Sequence, residues 1–139
     1  VVSLTLNQSA DSGGHGTQRG GVGAIYEIEV LEDNGAEAFL FGERGKFAPK
    51  GIAQGEEGAM NVFSYEQDEG WKNPPLVSKM RGIKLRQGQA VRLETPGGGG
   101  YGPASERAAR DIARDVARGL VSANAADQAY GTDWREAGS

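Results

Sequence analysis

Apolar and polar residues alternate along much of the first 95 positions, which predicts β-strands. The run VGAIYEIEVL (22–31) places one apolar set on a single face: Val22, Ala24, Tyr26, Ile28 and Val30. A two-residue period of this kind is typical of a strand with one buried face. Weaker alternation in VVSLTLNQ (1–8) and the short run MNVFSY (60–65) predict two further strands.

The dipeptide Asn34-Gly35 predicts a tight reversal after the strand at 22–31. Asn and Gly tolerate the positive φ of a type I′ turn, and the apolar run AEAFLFGE (36–43) follows directly. We therefore expect 22–31 and 36–43 to pair as the two arms of a hairpin.

A second hairpin is expected around the Gln87-Gly88 turn. Apolar residues are spaced by two on both arms: Ile83 and Leu85 before the turn, Val91 and Leu93 after it. This pattern fits a sheet with one buried face. The expected fold class is mainly β (α+β), with antiparallel sheets, a sandwich or a barrel built from hairpins and followed by a C-terminal helical hairpin.

Beyond residue 103 the apolar period changes from two to three or four. The spacing predicts an amphipathic helix through Ala109, Ile112, Ala113, Val116 and Ala117. We expect Ser105 to cap its start and Gly119 to follow its end. A second helix is predicted from Ala123 to Tyr130, capped by Ser122 and stopped by Gly131. The predicted organisation is a β domain with glycine-rich loops (1–102) and a helical hairpin packed on it (103–139), as one structural unit.

Composition narrows the function classes. The length of 139 residues fits one domain, and a net charge of −4 argues against non-specific nucleic-acid binding. No apolar stretch approaches the ~20 residues that span a bilayer, so no membrane partner is expected. The absence of cysteine excludes disulfides and thiolate zinc sites and favours a cytoplasmic setting. Because the chain opens at Val1 inside a predicted strand, we expect a fragment of a longer polypeptide, the alternative being a chain processed at its start.

Few side chains suggest catalysis. His15 is the only histidine and lies in a glycine-rich loop, where it is either a general base, a single ligand completed by another domain, or an exposed polar residue. Arg44, Lys46 and Lys50 are concentrated in FGERGKFAPKG, which forms either an anion site or a solvated turn or interface loop. No catalytic residue and no metal ligand is predicted within this chain.

The run GGGGYG (97–102) fits the Gly-x-Gly-x-x-Gly pattern of a dinucleotide loop. Pro96 separates it from a strand that is expected to be antiparallel, and neither a Walker lysine nor a distal acidic residue follows. The alternative is a loop in which the backbone approaches another surface closely. The candidate ligand-binding residues are Arg44, Lys46, Gly97, Gly98, Gly99, Gly100 and Tyr101.

Several strings occur together in one order along the chain. They are GGVG (20–23), LED (31–33), ERGKFAPKG (43–51), LETPGGGGYGPASER (93–107), DVARGLVS (115–122) and AYGT (129–132). In this combination the chain resembles the hydantoinase B family. That family comprises the B subunit of ATP-dependent hydantoinases and the matching parts of 5-oxoprolinase and of acetone and acetophenone carboxylases. The chain departs from the family pattern at two places. Gly102 is followed directly by Pro103, where relatives commonly have an acidic residue before the proline. IAQGEEGA (52–59) stands where relatives usually have a Gly-Gly-x-Pro-Gly turn.

The resemblance implies a C-terminal domain of a longer subunit that opens a cyclic amide such as a hydantoin or 5-oxoproline, driven by ATP, or that carboxylates a ketone. It implies that ATP binds to an A-type subunit, that a divalent metal binds upstream, and that this domain itself binds no cofactor. The expected function is therefore non-catalytic, in subunit assembly and site architecture. The alternative is an anion- or nucleotide-binding module of a related ATP-dependent ketone carboxylase. The expected partners are the upstream part of its own subunit and an A-type hydantoinase subunit or domain.

Overall fold

The computed structural model describes residues 1–138. Its strands are β1 (Val2–Ser9), β2 (Gly23–Val30), β3 (Ala36–Phe41), β4 (Val62–Gln67), β5 (Gly70–Lys72), β6 (Lys79–Leu85) and β7 (Ala90–Glu94). A 3₁₀ turn (Ala104–Glu106) precedes the helices α1 (Ala109–Ala117), α2 (Ala123–Tyr130) and α3 (Trp134–Ala137). The strands predicted at 1–8, 22–31 and 60–65 are thus confirmed with shifts of one or two residues.

The strands form two sheets. One has five strands in the order β1-β2-β7-β4-β5, and the other consists of β3 and β6. The pairs β2–β7, β4–β7, β4–β5 and β3–β6 are antiparallel, with Ile28 opposite Val91 in the first of them. The predicted antiparallel, mainly β class with C-terminal helices is confirmed.

Both predicted hairpins are wrong in their pairing. β2 pairs with β7 rather than with β3, and β6 pairs with β3 rather than with β7. The tight turns do exist, since the Gly35 N–H donates to the Glu32 carbonyl at 3.1 Å and the Gln89 N–H donates to the Arg86 carbonyl at 3.0 Å. Each turn carries the chain from one sheet to the other, because both sheets bury their apolar faces in a common core. A turn dipeptide specifies a reversal, but the partner strand is chosen by packing.

The chain divides into two compact units. Unit 1 comprises residues 1–7, 24–47 and 60–95, and unit 2 comprises 8–23, 48–59 and 96–139. The core of unit 1 lies between the two sheets and contains Val30, Leu40, Phe63, Ile83 and Leu85, which are at most 8% exposed. Whether 1–102 and 103–139 behave as one structural unit stays a prediction.

The helices of unit 2 enclose a second core of Ile112, Ala113, Val121, Ala126 and Trp134. Helix α2 begins as predicted, since the Ser122 hydroxyl accepts a hydrogen bond from the Ala125 N–H at 3.1 Å. The predicted cap at Ser105 is wrong, because Ser105 lies in the 3₁₀ turn and the chain is extended at Arg107 and Ala108 before α1. This extended step directs the Arg107 side chain toward Asp115 on α1.

Candidate functional site

The glycine-rich stretches of unit 2 pack against one another, and we call residues 12–21, 48–59 and 97–102 the glycine core. The run 97–102 is its central stretch. Its N–H groups donate to carbonyls of the flanking stretches: Gly98 to Gly21 at 2.8 Å, Gly100 to Glu56 at 2.9 Å, Tyr101 to Gln18 at 2.9 Å and Gly102 to Ile52 at 3.0 Å. A phosphate loop instead presents its N–H groups to the ligand, whereas these four N–H groups are already bonded to protein.

Neighbouring backbone leaves no room for a side chain at three positions of the central stretch. A Cβ added at Gly97 or at Gly100 would overlap the carbonyl of Ser12 or of His15, and one added at Gly99 would overlap the carbonyl of Lys50. Gly97 and Gly100 therefore face the same flanking stretch at a spacing of three residues. Three residues per turn is the period of an extended polyproline-II-type chain. The repeated glycine thus allows several extended chains to lie side by side.

A buried ionic cluster, formed by Arg19, Arg107 and Asp115, links the glycine core to helix α1. Arg19 Nε lies 2.9 Å and Arg107 Nη2 lies 2.7 Å from Asp115 Oδ2. The three side chains are only 12%, 7% and 5% exposed. Arg107 Nη1 also donates to the Thr17 carbonyl at 3.0 Å, while its buried Nε has no hydrogen-bond partner among the described residues.

The two arginines determine the charge state of Asp115. Burial is the largest single influence and raises the pKa of this carboxyl, because it penalises the charged form. The hydrogen bonds and charges of Arg19 and Arg107 together outweigh burial, and the pKa of Asp115 lies below its ordinary value. Asp115 is therefore a carboxylate at neutral pH, and two guanidinium groups share it.

His15 is anchored to helix α2. Its Nδ1 lies 2.8 Å from the Tyr130 hydroxyl, and the two rings meet edge to face with centroids 5.0 Å apart. Burial raises the pKa of Tyr130, so this hydroxyl is neutral at physiological pH. The view of His15 as a freely exposed loop residue is corrected, since the ring is partly buried and packed on Tyr130.

Arg44 and Lys46 lie in unit 1, whereas Gly97–Tyr101 lie in unit 2. The two cations line a groove of about 540 Å³ between residues 42–47 and 75–79, which we call the cationic groove. Lys79 and Glu43 form a 4.0 Å ion pair in it. Arg44 (φ 62°) and Val77 (φ 51°) both adopt the left-handed backbone conformation, which is unfavourable for a β-branched residue. That these residues bind a ligand stays a prediction.

Residues 1–138 contain neither a metal-binding cluster nor a membrane-spanning helix. No group of three or more His, Asp and Glu side chains in this part of the chain could hold a metal ion. No helix there is long and apolar enough to cross a membrane. The expectations on ATP, metal and bound cofactors stay predictions.

The sequence and the fold of this chain are similar to those of known proteins. The sequence profile described as hydantoinase B/oxoprolinase matches residues 1–104 of the 139. The chain belongs to the hydantoinase B/oxoprolinase family. The resemblance inferred from the sequence strings is thereby confirmed.

Individual members of the hydantoinase B/oxoprolinase family agree with this assignment. The caprolactamase subunit beta of Pseudomonas jessenii is 33% identical over 129 residues, which cover 87% of this chain and 21% of that protein. A 5-oxoprolinase of Dictyostelium discoideum is 31% identical over 102 residues, covering 73% of this chain and 8% of that protein. The chain therefore spans about a fifth or less of the length of these relatives.

Solved structures show the same fold as this hydantoinase B/oxoprolinase chain. The crystal structure of the ATP-dependent caprolactamase from Pseudomonas jessenii matches with a TM-score of 0.77 and 27% identity, over 91% of this chain and 22% of that one. The nucleotide-free structure of acetone carboxylase matches with a TM-score of 0.72 over 94% of this chain and 21% of that one. At 17% identity the second likeness shows the fold alone.

Sequence reasoning about this hydantoinase B/oxoprolinase chain missed the buried ionic cluster and the His15–Tyr130 pair. One signal was present, because Asp115 lies three residues after Ile112 and so on the apolar face of α1. An acid on a buried helix face requires a cationic partner. Of the two partners, Arg107 is only eight residues away, whereas Arg19 is 96 residues away and could not be identified from the sequence.

Proposed function

We propose that this chain is a non-catalytic, C-terminal domain of an ATP-dependent cyclic amide hydrolase of the hydantoinase/5-oxoprolinase type. It contributes to subunit assembly and to the architecture of the active site, and it binds no cofactor itself. The observation that carries the proposal is the family match over the glycine core, whose central run is bonded to protein through four N–H groups. Four of the six N–H groups of that run are used within the protein, which supports a structural role for it.

The buried polar groups of unit 2 support a structural role. The carboxylate of Asp115 is shared between two arginines, and the single histidine is hydrogen-bonded to Tyr130. A general acid or base must present a titrating group to the substrate. These side chains instead connect the glycine core to helices α1 and α2 and so determine how the helices pack on it.

The names of the relatives support a proposal about partners. A relative named as a subunit beta belongs to a protein of more than one kind of subunit. We infer that the partners of this domain are the upstream part of its own subunit and an A-type subunit that binds ATP. A divalent metal would be held upstream, and the enzyme would work in the cytoplasm.

The test compares the isolated chain with the assembled enzyme. The 139-residue chain, checked for folding by circular dichroism, is assayed for ATP-dependent hydrolysis of hydantoin, 5-oxoproline and caprolactam, beside the full-length subunit with its A-type partner. We expect turnover only from the assembled enzyme. Turnover by the folded isolated chain would refute the non-catalytic role.

A second candidate function is anion binding in the cationic groove, as in a nucleotide-binding module of a related ketone carboxylase. The specific observation is that two residues with left-handed backbone, Arg44 and Val77, line the same groove as Lys46. Backbone strain of this kind concentrates at ligand sites. Titration of the labelled chain with ATP and with inorganic phosphate tests it by NMR. Shifts at residues 44–46 that disappear in Arg44→Ala would support it, and their absence at millimolar ligand would refute it.

A further inference from the structure

The two sheets of unit 1 are unequal in width. Five strands form one sheet, but only β3 and β6 lie on the other side of the shared core. β6 contacts β4, and β3 contributes to a groove lined by side chains of β2 and β7. In packed β-sheets each apolar face is covered by the sheet opposite. At the end of the larger sheet that contains β1, Val2, Leu4 and Leu6 are more than half exposed, so the described residues of unit 1 leave this end uncovered.

An open groove marks this gap, and we call it the edge groove. It measures about 450 Å³ and is lined by Val2 of β1, Tyr26 and Ile28 of β2, and all six residues of β3. Successive residues of a strand point to opposite faces. Since every residue of β3 lines the groove, the groove runs along the edge of this strand and not only beneath one face.

Most of the exposed side chains of β1 and β3 around the edge groove are apolar, with Glu37 as the charged exception. On β1, Val2, Leu4 and Leu6 are 55%, 60% and 58% exposed. On β3, Phe39 and Phe41 are 70% and 80% exposed. The two-residue spacing places each set on one face of its strand, so each is a continuous apolar strip.

Neither strand carries strong protection for an open edge. β1 has eight residues without a charge or a proline, and β3 has a single charged residue, Glu37. Proteins usually blunt an exposed edge with lysine, proline or a short strand, because free N–H and C=O groups recruit other strands. Edge strands with no charge, as in β1, or with only one, as in β3, are therefore expected to be covered in the native protein.

We propose that an apolar β-strand from another part of the same longer polypeptide pairs with the free edge of β3 and fills the edge groove. The added strand becomes the third strand of the sheet formed by β3 and β6. It lies opposite β2 and β1 of the larger sheet and covers the strip formed by Val2, Leu4 and Leu6. The inference rests on the proposed function, in which this chain is one domain of a longer subunit. The length of the relatives, of which this chain spans about a fifth, provides the additional polypeptide.

Hydrogen exchange at single-residue resolution tests this pairing on the full-length subunit without substrate. A free edge strand bonds only every second N–H to its neighbour, whereas a strand with partners on both sides bonds every N–H. We expect slow exchange at consecutive amides of residues 37–41. Alternating fast and slow exchange along these residues would overturn the proposal.

A matched pair of substitutions in β1 tests which face is covered. Leu4 and Thr5 are both exposed in this chain but point to opposite faces. We expect Leu4→Lys to accelerate exchange in β3 by about tenfold or more, because the new charge opens the added strand, and Thr5→Lys to leave it unchanged. Equal effects of the two substitutions would overturn the proposal.

Light scattering shows whether β3 is covered by a strand of the same polypeptide or by a second copy of the chain in a dimer. We expect the β3 protection to be independent of protein concentration, because the added strand belongs to the same polypeptide. Protection that appears only with dimer formation would overturn the proposal. These measurements do not require turnover, so they test the inference separately from the proposed function. Slow exchange at consecutive amides of β3 in a subunit without ATP-dependent hydrolase activity would refute the proposed function but support the added strand.

Discussion

Gly99→Ala tests the packing of the glycine core. The added Cβ would lie 2.5 Å from the Lys50 carbonyl carbon and 2.8 Å from the Gly51 nitrogen, whereas real Cβ contacts stay above about 3.0 Å. These atoms belong to backbone and cannot rotate away, so the central stretch must shift. Overpacking of this kind costs about 1–3 kcal/mol. Each hydrogen bond lost by the shift, such as that from Gly98 to Gly21, costs about 1 kcal/mol more.

The expected destabilisation is therefore about 2–4 kcal/mol, which lowers the Tm of a 139-residue chain by about 8–16 °C. Thermal unfolding followed by circular dichroism measures it. Gly21→Ala is the matched control, because no atom lies within 4 Å of its added Cβ, and its stability should change by less than about 0.5 kcal/mol. Equal Tm values for the two variants would refute the reasoning.

Three further predictions concern unit 2. Asp115→Ala leaves two buried arginines without their carboxylate and should cost about 3–5 kcal/mol in urea unfolding. Because the pKa of Asp115 is lowered in the folded chain, its carboxylate stabilises the fold above the ordinary pKa of 3.8, and this stabilisation is lost as the pH falls through the folded pKa. In Asp115→Asn the free energy of unfolding should therefore depend less on pH in this acidic range. Tyr130→Phe removes the bond to His15 and should cost about 1 kcal/mol at pH 7, measured by urea unfolding. Ser122→Ala removes the α2 cap and should cost about 1 kcal/mol, against a change below about 0.5 kcal/mol for Asn124→Ala on the exposed face.

The positions of strands and helices could be predicted from the sequence, but the pairing of the strands could not. The period of two located β2 and β7, and the period of three or four located α1. Pairing depends on which apolar faces meet in the core, and this is a long-range property. The turns at Gly35 and Gly88 therefore indicated where the chain reverses without indicating that it changes sheets there.

The glycine run at the centre of the glycine core could be detected from the sequence, but the stretches that pack against it could not be predicted. The run 97–102 is a local signal, whereas the stretches that surround it lie up to 85 residues away in sequence, as with Ser12 and Gly97. The same holds for His15 and Tyr130, which are 115 residues apart. Local composition therefore indicated close backbone packing as one of two readings, while the neighbours that require it appear only in the structure.

The most direct test of the non-catalytic role concerns His15, the only histidine of the chain. His15→Gln is introduced into the full-length subunit, and kcat for ATP-dependent cyclic amide hydrolysis is measured per assembled complex, with Tyr130→Phe as the structural control. The account predicts that kcat stays within about twofold of the unmodified enzyme in both variants, whereas loss of a general acid or base costs about 10²–10⁴-fold. A loss of that size in His15→Gln alone, at normal assembly, would contradict the central claim.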